Sequence, residues 1–165
     1  MISPELLRRY QFAAGLNHDQ IVALAKISNE VEVEAGSYFF RDGEQVDKFY
    51  IVMEGAIAIL FEVTDREEGS TVSEQLTGGL ATKEVVISTI GTGSPFAWAG
   101  IIPPHEAFAN AKAIAPSKVI AIDCIELRKI FDEDPGFAYL MTTRAAQVMR
   151  EQLRDLSIET LAFIA

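Results

Sequence analysis

The 165-residue chain holds two histidines, His18 and His105, and one cysteine, Cys124, as its imidazole and thiol groups. A catalytic metal in a small β-barrel needs a His-x-His pair, a Glu and a further His, with coordination positions left open. Two isolated histidines, one on an early helix, do not supply that set. A cysteine nucleophile needs a base beside it and an electropositive setting. Cys124 opens a helix and reads as an inert, partly buried thiol. The run "GTGSPF" lacks the Lys-Ser/Thr that completes a phosphate loop, so its glycines suit a turn. Glu67 and Glu68 sit in a polar stretch with no partner suggested. No metal site and no catalytic residue emerges, and the chain is expected not to be an enzyme.

A second stretch is informative because it lacks charge. Ser94–Ala115, "SPFAWAGIIPPHEAFANAKAIA", reads as a turn, a short apolar helix near 97–102, a double-proline break and a strand. Period two places Ala107, Ala109 and Ala111 on one face of that strand and Asn110 and Lys112 on the other. Lys112 is therefore expected on the outer face. His105 and Glu106 follow the prolines as turn residues, with His105 and Asn110 as candidate polar contacts.

The elements that must hold this stretch are legible from local signals. Ser3 and Pro4 start a helix over "ELLRRYQF". Asn17 and Gln20 form a capping box ahead of a second helix whose inner stripe is Ile21, Leu24, Ala25 and Ile27. From Glu30 the period drops to two, with Val31 and Val33 alternating against Glu32 and Glu34 as in a half-buried strand. Gly36 and Asp42-Gly43 give turns, and Glu54-Gly55 reads as a tight hairpin turn between "VDKFYIVMEG" and "AIAILFEV". "KEVVISTI", "AFANAKAIA" and "KVIAID" complete a set of short strands. Thr64–Lys83 reads as a long, mobile hairpin connection. Asp123 and Glu126 occupy capping-box positions for the next helix, and Asp134-Pro135 starts a long one. Its apolar stripe is Met141, Ala145, Val148, Met149, Leu153 and Leu156, which can meet either the barrel or a second copy of the chain.

The fold class is therefore mainly β: an antiparallel β-barrel or jelly roll in one domain. N-terminal helices span 1–28, the barrel 29–123 and C-terminal helices 124–165. Fourteen basic against 24 acidic residues leave a net charge of −10, which opposes binding to a phosphate backbone. No apolar run approaches the roughly 18–20 residues that span a bilayer, and "MISPELLRRYQF" lacks the features of a signal peptide. A lone cysteine fits a reducing cytoplasm.

The run Val33–Ile59, "VEAGSYFFRDGEQVDKFYIVMEGAIAI", resembles the cyclic-nucleotide-binding domain of the catabolite activator protein and of cyclic-AMP-dependent kinase regulatory subunits. Gly36, the Gly43-Glu44 pair and the strand Tyr50 to Gly55 carry the likeness, which extends from the first helix to the long one. The resemblance implies a ligand-sensing domain whose phosphate-binding cassette holds a cyclic nucleotide. There a Gly-Glu pair opens a short helix and binds the ribose, and an Arg-Ser-Ala run closes it on the phosphate.

By spacing, Phe96-Ala97-Trp98 stands where Phe-Gly-Glu would be, and Ala107 stands at the Arg. The cassette is thus degenerate, with Trp98 and Ala107 replacing its two charged groups. Two outcomes follow for the pocket residues Phe96, Ala97, Trp98, Ala99, Ile101, Ile102, Ala107, Phe108 and Ala109. Trp98 stacks on a flat apolar ligand, or Trp98, Phe96, Ile101, Ile102 and Phe108 fill the pocket themselves. A phosphate buried there without a cation loses its compensation. The chain also resembles small stand-alone bacterial members of this superfamily, without the winged helix-turn-helix of its transcription factors. The expected function is a cytoplasmic sensor or regulatory module for a small molecule; the alternatives are a protein-interaction module with a self-filled pocket and a cyclic-nucleotide binder with a non-standard pocket. It pairs through the long helix with itself or with a partner protein, and engages neither nucleic acid nor membrane.

Overall fold

The start signals act as their side chains dictate. In the computed structural model, which describes residues 1–64 and 82–164, α1 is Pro4–Leu7, with the Ser3 side chain accepting from the Glu5 N–H. The helix is shorter than "ELLRRYQF" predicts. After Leu7 the chain turns into a 3-10 turn at Gln11–Ala13. In one helix Leu7 and Phe12 would point about 140° apart; the break lets both be buried. The helix α2, His18–Lys26, has the full capping box, with Asn17 Oδ1 accepting from Gln20 N at 2.9 Å and Gln20 Oε1 from Asn17 N at 3.1 Å.

Among the described residues eight strands follow: β1 Ser28–Val33, β2 Tyr38–Phe40, β3 Lys48–Glu54, β4 Ile57–Thr64, β5 Thr82–Ile90, β6 Pro95–Phe96, β7 Asn110–Ala113 and β8 Ser117–Asp123. They form two four-stranded antiparallel sheets, β1-β8-β3-β6 and β2-β7-β4-β5. The expected barrel is thus a jelly roll of two separate sheets. Chain neighbours β3 and β4 lie in different sheets, so the Glu54-Gly55 turn is a corner between sheets rather than a hairpin. Gly55 has φ +93, and a Cβ there would fall 2.2 Å from Ser117 Oγ and 2.7 Å from the Pro116 carbonyl oxygen. The β4–β5 pair is a hairpin, from Ile57 opposite Ile90 to Thr64 opposite Thr82; residues 65–81 of its connection lie outside the described residues. Only Val33 of the β1 valines is half-buried, because β1 is a sheet edge and leaves Val31 exposed.

The strand β8 explains the layering. Its run "VIAI" is buried on both faces, and so reads as a continuous apolar stretch without alternation. Ile120 and Ile122 join Leu7, Leu24, Phe49, Leu127 and Met141 in a core between the first sheet and the helices. Val119 joins Val52, Ile57, Phe96 and Ala111 between the sheets. The helix α3, Cys124–Glu133, is capped by Asp123 Oδ1, which accepts from the N–H of Ile125 and of Glu126. Only half of the expected box forms, since Glu126 instead pairs with Lys129 at 2.6 Å. The long helix α4 is Pro135–Ile164. Phe137, Met141 and Ala145 are buried on the barrel, Val148 is half-buried, and Met149 and Leu153 are exposed; the Leu156 side chain lies outside the described residues. No helix among the described residues is long and apolar enough to cross a membrane.

Two predictions follow from this packing. Gly36 is also left-handed, at φ +88, yet nothing lies within 4 Å of an added Cβ. Gly36→Ala should cost only the conformational term, about 1 kcal/mol, and Gly55→Ala at least about 3 kcal/mol because backbone must also move; urea unfolding of both variants measures the gap. Burial pushes the Cys124 thiol and the Tyr50 phenol up to about 12 each. Both stay neutral in the folded chain while the unfolded chain ionises them from about pH 9 and pH 10. Stability should therefore be full below pH 9 and decline towards pH 12. Cys124→Ala should flatten the first part of that decline in chemical denaturation curves taken across the range.

Candidate ligand-binding site

The charge-poor segment folds as a short platform. Ala97 caps a 3-10 turn at Trp98–Gly100 with φ +69, a left-handed conformation that glycine adopts freely and alanine does not. Gly100 is pressed so close to the first sheet and α3 that a Cβ would lie 2.6 Å from Cys124 Sγ. The far end of the segment is zipped to the Gly43-Glu44 turn. Gly43 N donates to Ala107 O and Ala107 N to Glu44 O, both at 2.8 Å, and Val46 N donates to His105 O at 2.7 Å. His105, itself at φ +64, donates through Nδ1 to the Ala99 carbonyl at 2.9 Å. That bond ties the two halves of the segment together.

Between this platform, the second sheet and α4 lies a cavity of about 560 Å³. Its floor holds Ala97, Ala99, Ala107 and Ala109, with Phe108 at the side. Phe40 of β2, Ile59 of β4, and Ile87 and Ser88 of β5 form one wall. Met149, Gln152, Leu153 and Asp155 of α4 form the roof. Ile87 reaches the cavity through a β-bulge: Ser88 pairs with Ile59 and Val86 with Leu60, leaving Ile87 as the extra residue.

The predicted pocket residues divide between two places. Ala97, Ala99, Ala107, Phe108 and Ala109 line the cavity. Trp98, Ile101 and Ile102 do not. They pack in the helix-side core, where the Trp98 ring meets Phe49 edge-on at 4.7 Å and its buried Nε1 has no hydrogen-bond partner among the described residues. The indole neither fills the cavity nor stands ready to stack on an occupant. Phe96 is also buried elsewhere, stacked on Tyr50 at 5.0 Å and edge-on to Phe39 at 5.1 Å. Phe108 is 68% exposed, so it borders the cavity without plugging it. Asn110 is buried, and its Oδ1 accepts from Asp42 N at 2.7 Å, a structural use rather than a contact for a ligand. Met149 and Leu153, expected at a helix pairing face, serve also as cavity roof. Phe40, Ile59, Ile87, Ser88, Gln152 and Asp155 carried no local signal, since each reaches the cavity only through tertiary placement.

Among the described residues no lining residue is cationic, and Asp155 is the one charged member. Two cations near the second sheet are engaged by carboxylates. Lys112 Nζ binds both carboxylate oxygens of exposed Glu84, at 2.8 and 3.0 Å, as expected for an outer-face lysine. Its ammonium, with the Tyr38 hydroxyl, holds the Glu84 carboxyl below its ordinary range. Arg41 lies 3.8 Å over the Tyr38 ring and 3.3 Å from Glu62.

Two antiparallel sheets with helices at either end, a short turn-and-strand cassette and a cavity under a long C-terminal helix define a helix-flanked jelly roll. The chain belongs to the family of the cyclic nucleotide-binding domain, whose model matches residues 30–134. Among solved structures it is similar to a Geobacter metallireducens GS-15 protein proposed to be cyclic nucleotide-binding. That likeness has 23% identity and a TM-score of 0.75 over 93% of this chain and 99% of the other. It is similar to the sensor domain of the transcriptional regulator DNR from Pseudomonas aeruginosa, at 18% identity and TM-score 0.64 over 91% and 90%. It is also similar to the regulatory domain of Toxoplasma gondii PKA crystallised with cAMP, at 22% identity and TM-score 0.62 over 87% and 48%. At these identities the likeness is one of fold. No curated protein matches the sequence.

The left-handed Ala97 yields a test of the platform. Ala97→Gly should be neutral or stabilising by up to about 1 kcal/mol, as relief of strain offsets a lost buried methyl. Ala97→Val should destabilise by about 2 kcal/mol or more, since β-branched side chains tolerate that region worst. Thermal melts of the two variants give the comparison.

Proposed function

We propose that this chain is a non-enzymatic regulatory module that senses a small molecule in the cavity and transmits occupancy through α4. The observation that carries the reading is that α4 itself supplies the roof. Met149 is 41% and Leu153 66% exposed, so both have apolar surface for an occupant to cover. Covering them favours one position of the helix, and a ligand shifts an equilibrium by its difference in affinity for the two positions. The non-enzymatic reading is supported by Cys124, whose thiol is buried and pushed up in pKa, and by His105, which is spent on the Ala99 carbonyl.

The family's usual ligand is a poor match to these walls. Alanine stands at 107, and the indole at 98 is turned into the core. Neither group can offset the cost of burying a cyclic phosphate, which is several kcal/mol for an unpaired ion. The helix pairing proposed for the chain is supported by the exposed Ile158 and Leu161, three residues apart and so on one face of α4. The cytoplasm remains the proposed location.

Cyclic AMP, cyclic GMP and cyclic dinucleotides should each leave the melting temperature unchanged. A ligand present at about 100 times its Kd would add roughly 2.7 kcal/mol, a shift of several degrees for a domain of this size. A saturable rise with any of them would contradict the exclusion. For the pairing face, sedimentation should give a dimer that Leu161→Glu converts to monomer with little change in the thermal stability of the domain itself.

A further inference from the structure

We infer that the cavity selects a neutral or cationic amphiphile, with a compact apolar body and a hydroxyl or amine at one end, and discriminates against anions. The inference rests on the reading of this cavity as a ligand site and assigns the chemistry of its occupant. The floor is four alanine methyl groups, and the walls and roof add Phe40, Ile59, Ile87, Phe108, Met149 and Leu153. Such a surface gains by covering apolar area and offers an anion nothing in exchange for its lost hydration. The polar lining is Ser88, Gln152 and Asp155. A hydroxyl and an amide accept as well as donate, and a carboxylate only accepts. The set therefore favours a donor on the ligand, and its one formal charge is negative.

Lys112 of β7 is held by Glu84, and Arg41, just after β2, by Glu62. The cavity volume of about 560 Å³ falls in the range of roughly 300–1,000 Å³ that accommodates drug-sized molecules. The unbranched, polarisable Met149 lets the roof adapt to the shape beneath it.

Two fluorescent probes of similar body isolate the charge: N-phenylnaphthylamine, a neutral amine, and anilinonaphthalene sulfonate, its anionic counterpart. The full chain should bind the neutral probe at one site per chain and at least about tenfold more tightly than the sulfonate, a difference of about 1.4 kcal/mol. Leu153→Lys places a cation in the roof at an exposed position and should reverse that preference while leaving the melting temperature in place. Ala99→Phe should fill the floor and weaken the neutral probe by a similar factor. Equal or tighter binding of the sulfonate by the unaltered chain would overturn the inference and leave the sensing role standing. Binding of the neutral probe that ignores both substitutions would place it elsewhere and overturn the inference as well. Failure of both probes to bind would overturn the inference and the sensing role together.

Discussion

The helix α4 is held firmly at its first turns and lightly beyond them, and the site depends on that asymmetry. Phe137 and Met141 are fully buried against the barrel. The Arg144 guanidinium donates to the carbonyls of Phe12 and Ala14, fastening the helix to the N-terminal turn. Asp134, just before the helix, accepts from Gln20 Nε2 at 2.8 Å and from Phe137 N at 3.0 Å. A helix of 30 residues extends about 45 Å, so fixing its first turns sets the place of every later one. Met149 to Asp155 lie over the cavity for that reason, although few contacts of their own hold them. An element anchored at one end and lightly held at the other suits a sensor, because a modest covering energy can bias the free half.

The second constraint is electrostatic. Short side chains at positions 97, 99, 107 and 109 open volume and at the same time remove any charge from the floor. Space and polarity are therefore linked: the substitution that makes room for an occupant also decides which occupant is tolerated. Surface pairs such as Lys112–Glu84 contribute little to stability, about 0–1 kcal/mol. They hold the Lys112 ammonium and the Arg41 guanidinium against carboxylates. The acidic balance of the whole chain acts in the same direction.

Much of this architecture is legible along the chain wherever the determinant is local. The Asn17–Gln20 box, the Asp123 cap and the left-handed turns at Gly36, Gly43 and Gly55 follow from residues within a few positions of one another. The alanines of the cavity floor are legible too, through the spacing of the cassette. The unread features depend on distant partners. Gly55 looks like a hairpin turn until strand partnership is known, and only then does it become a corner between sheets. Trp98 looks like a pocket residue, but the left-handed Ala97 and the close approach of Gly100 to Cys124 turn its ring into the helix-side core. Asn110 departs from simple alternation because the Asp42 N–H needs an acceptor. The bulge at Ile87 has no signature in the residues around it, and the roof residues of α4 are identified only by where the helix is anchored.

The central claim is that an apolar chamber between the alanine floor and α4, with no cation among its described lining residues, is the seat of ligand recognition. Methyl NMR of the alanines and methionines tests it most directly, by following Ala99, Ala107, Ala109 and Met149 during titration with a neutral aromatic amine and, separately, with cyclic AMP. The account predicts saturable shifts of these four methyls with the amine, and an unchanged spectrum with the nucleotide. Saturable shifts of the same methyls with cyclic AMP, or an amine that moves only methyls remote from the cavity, would contradict it.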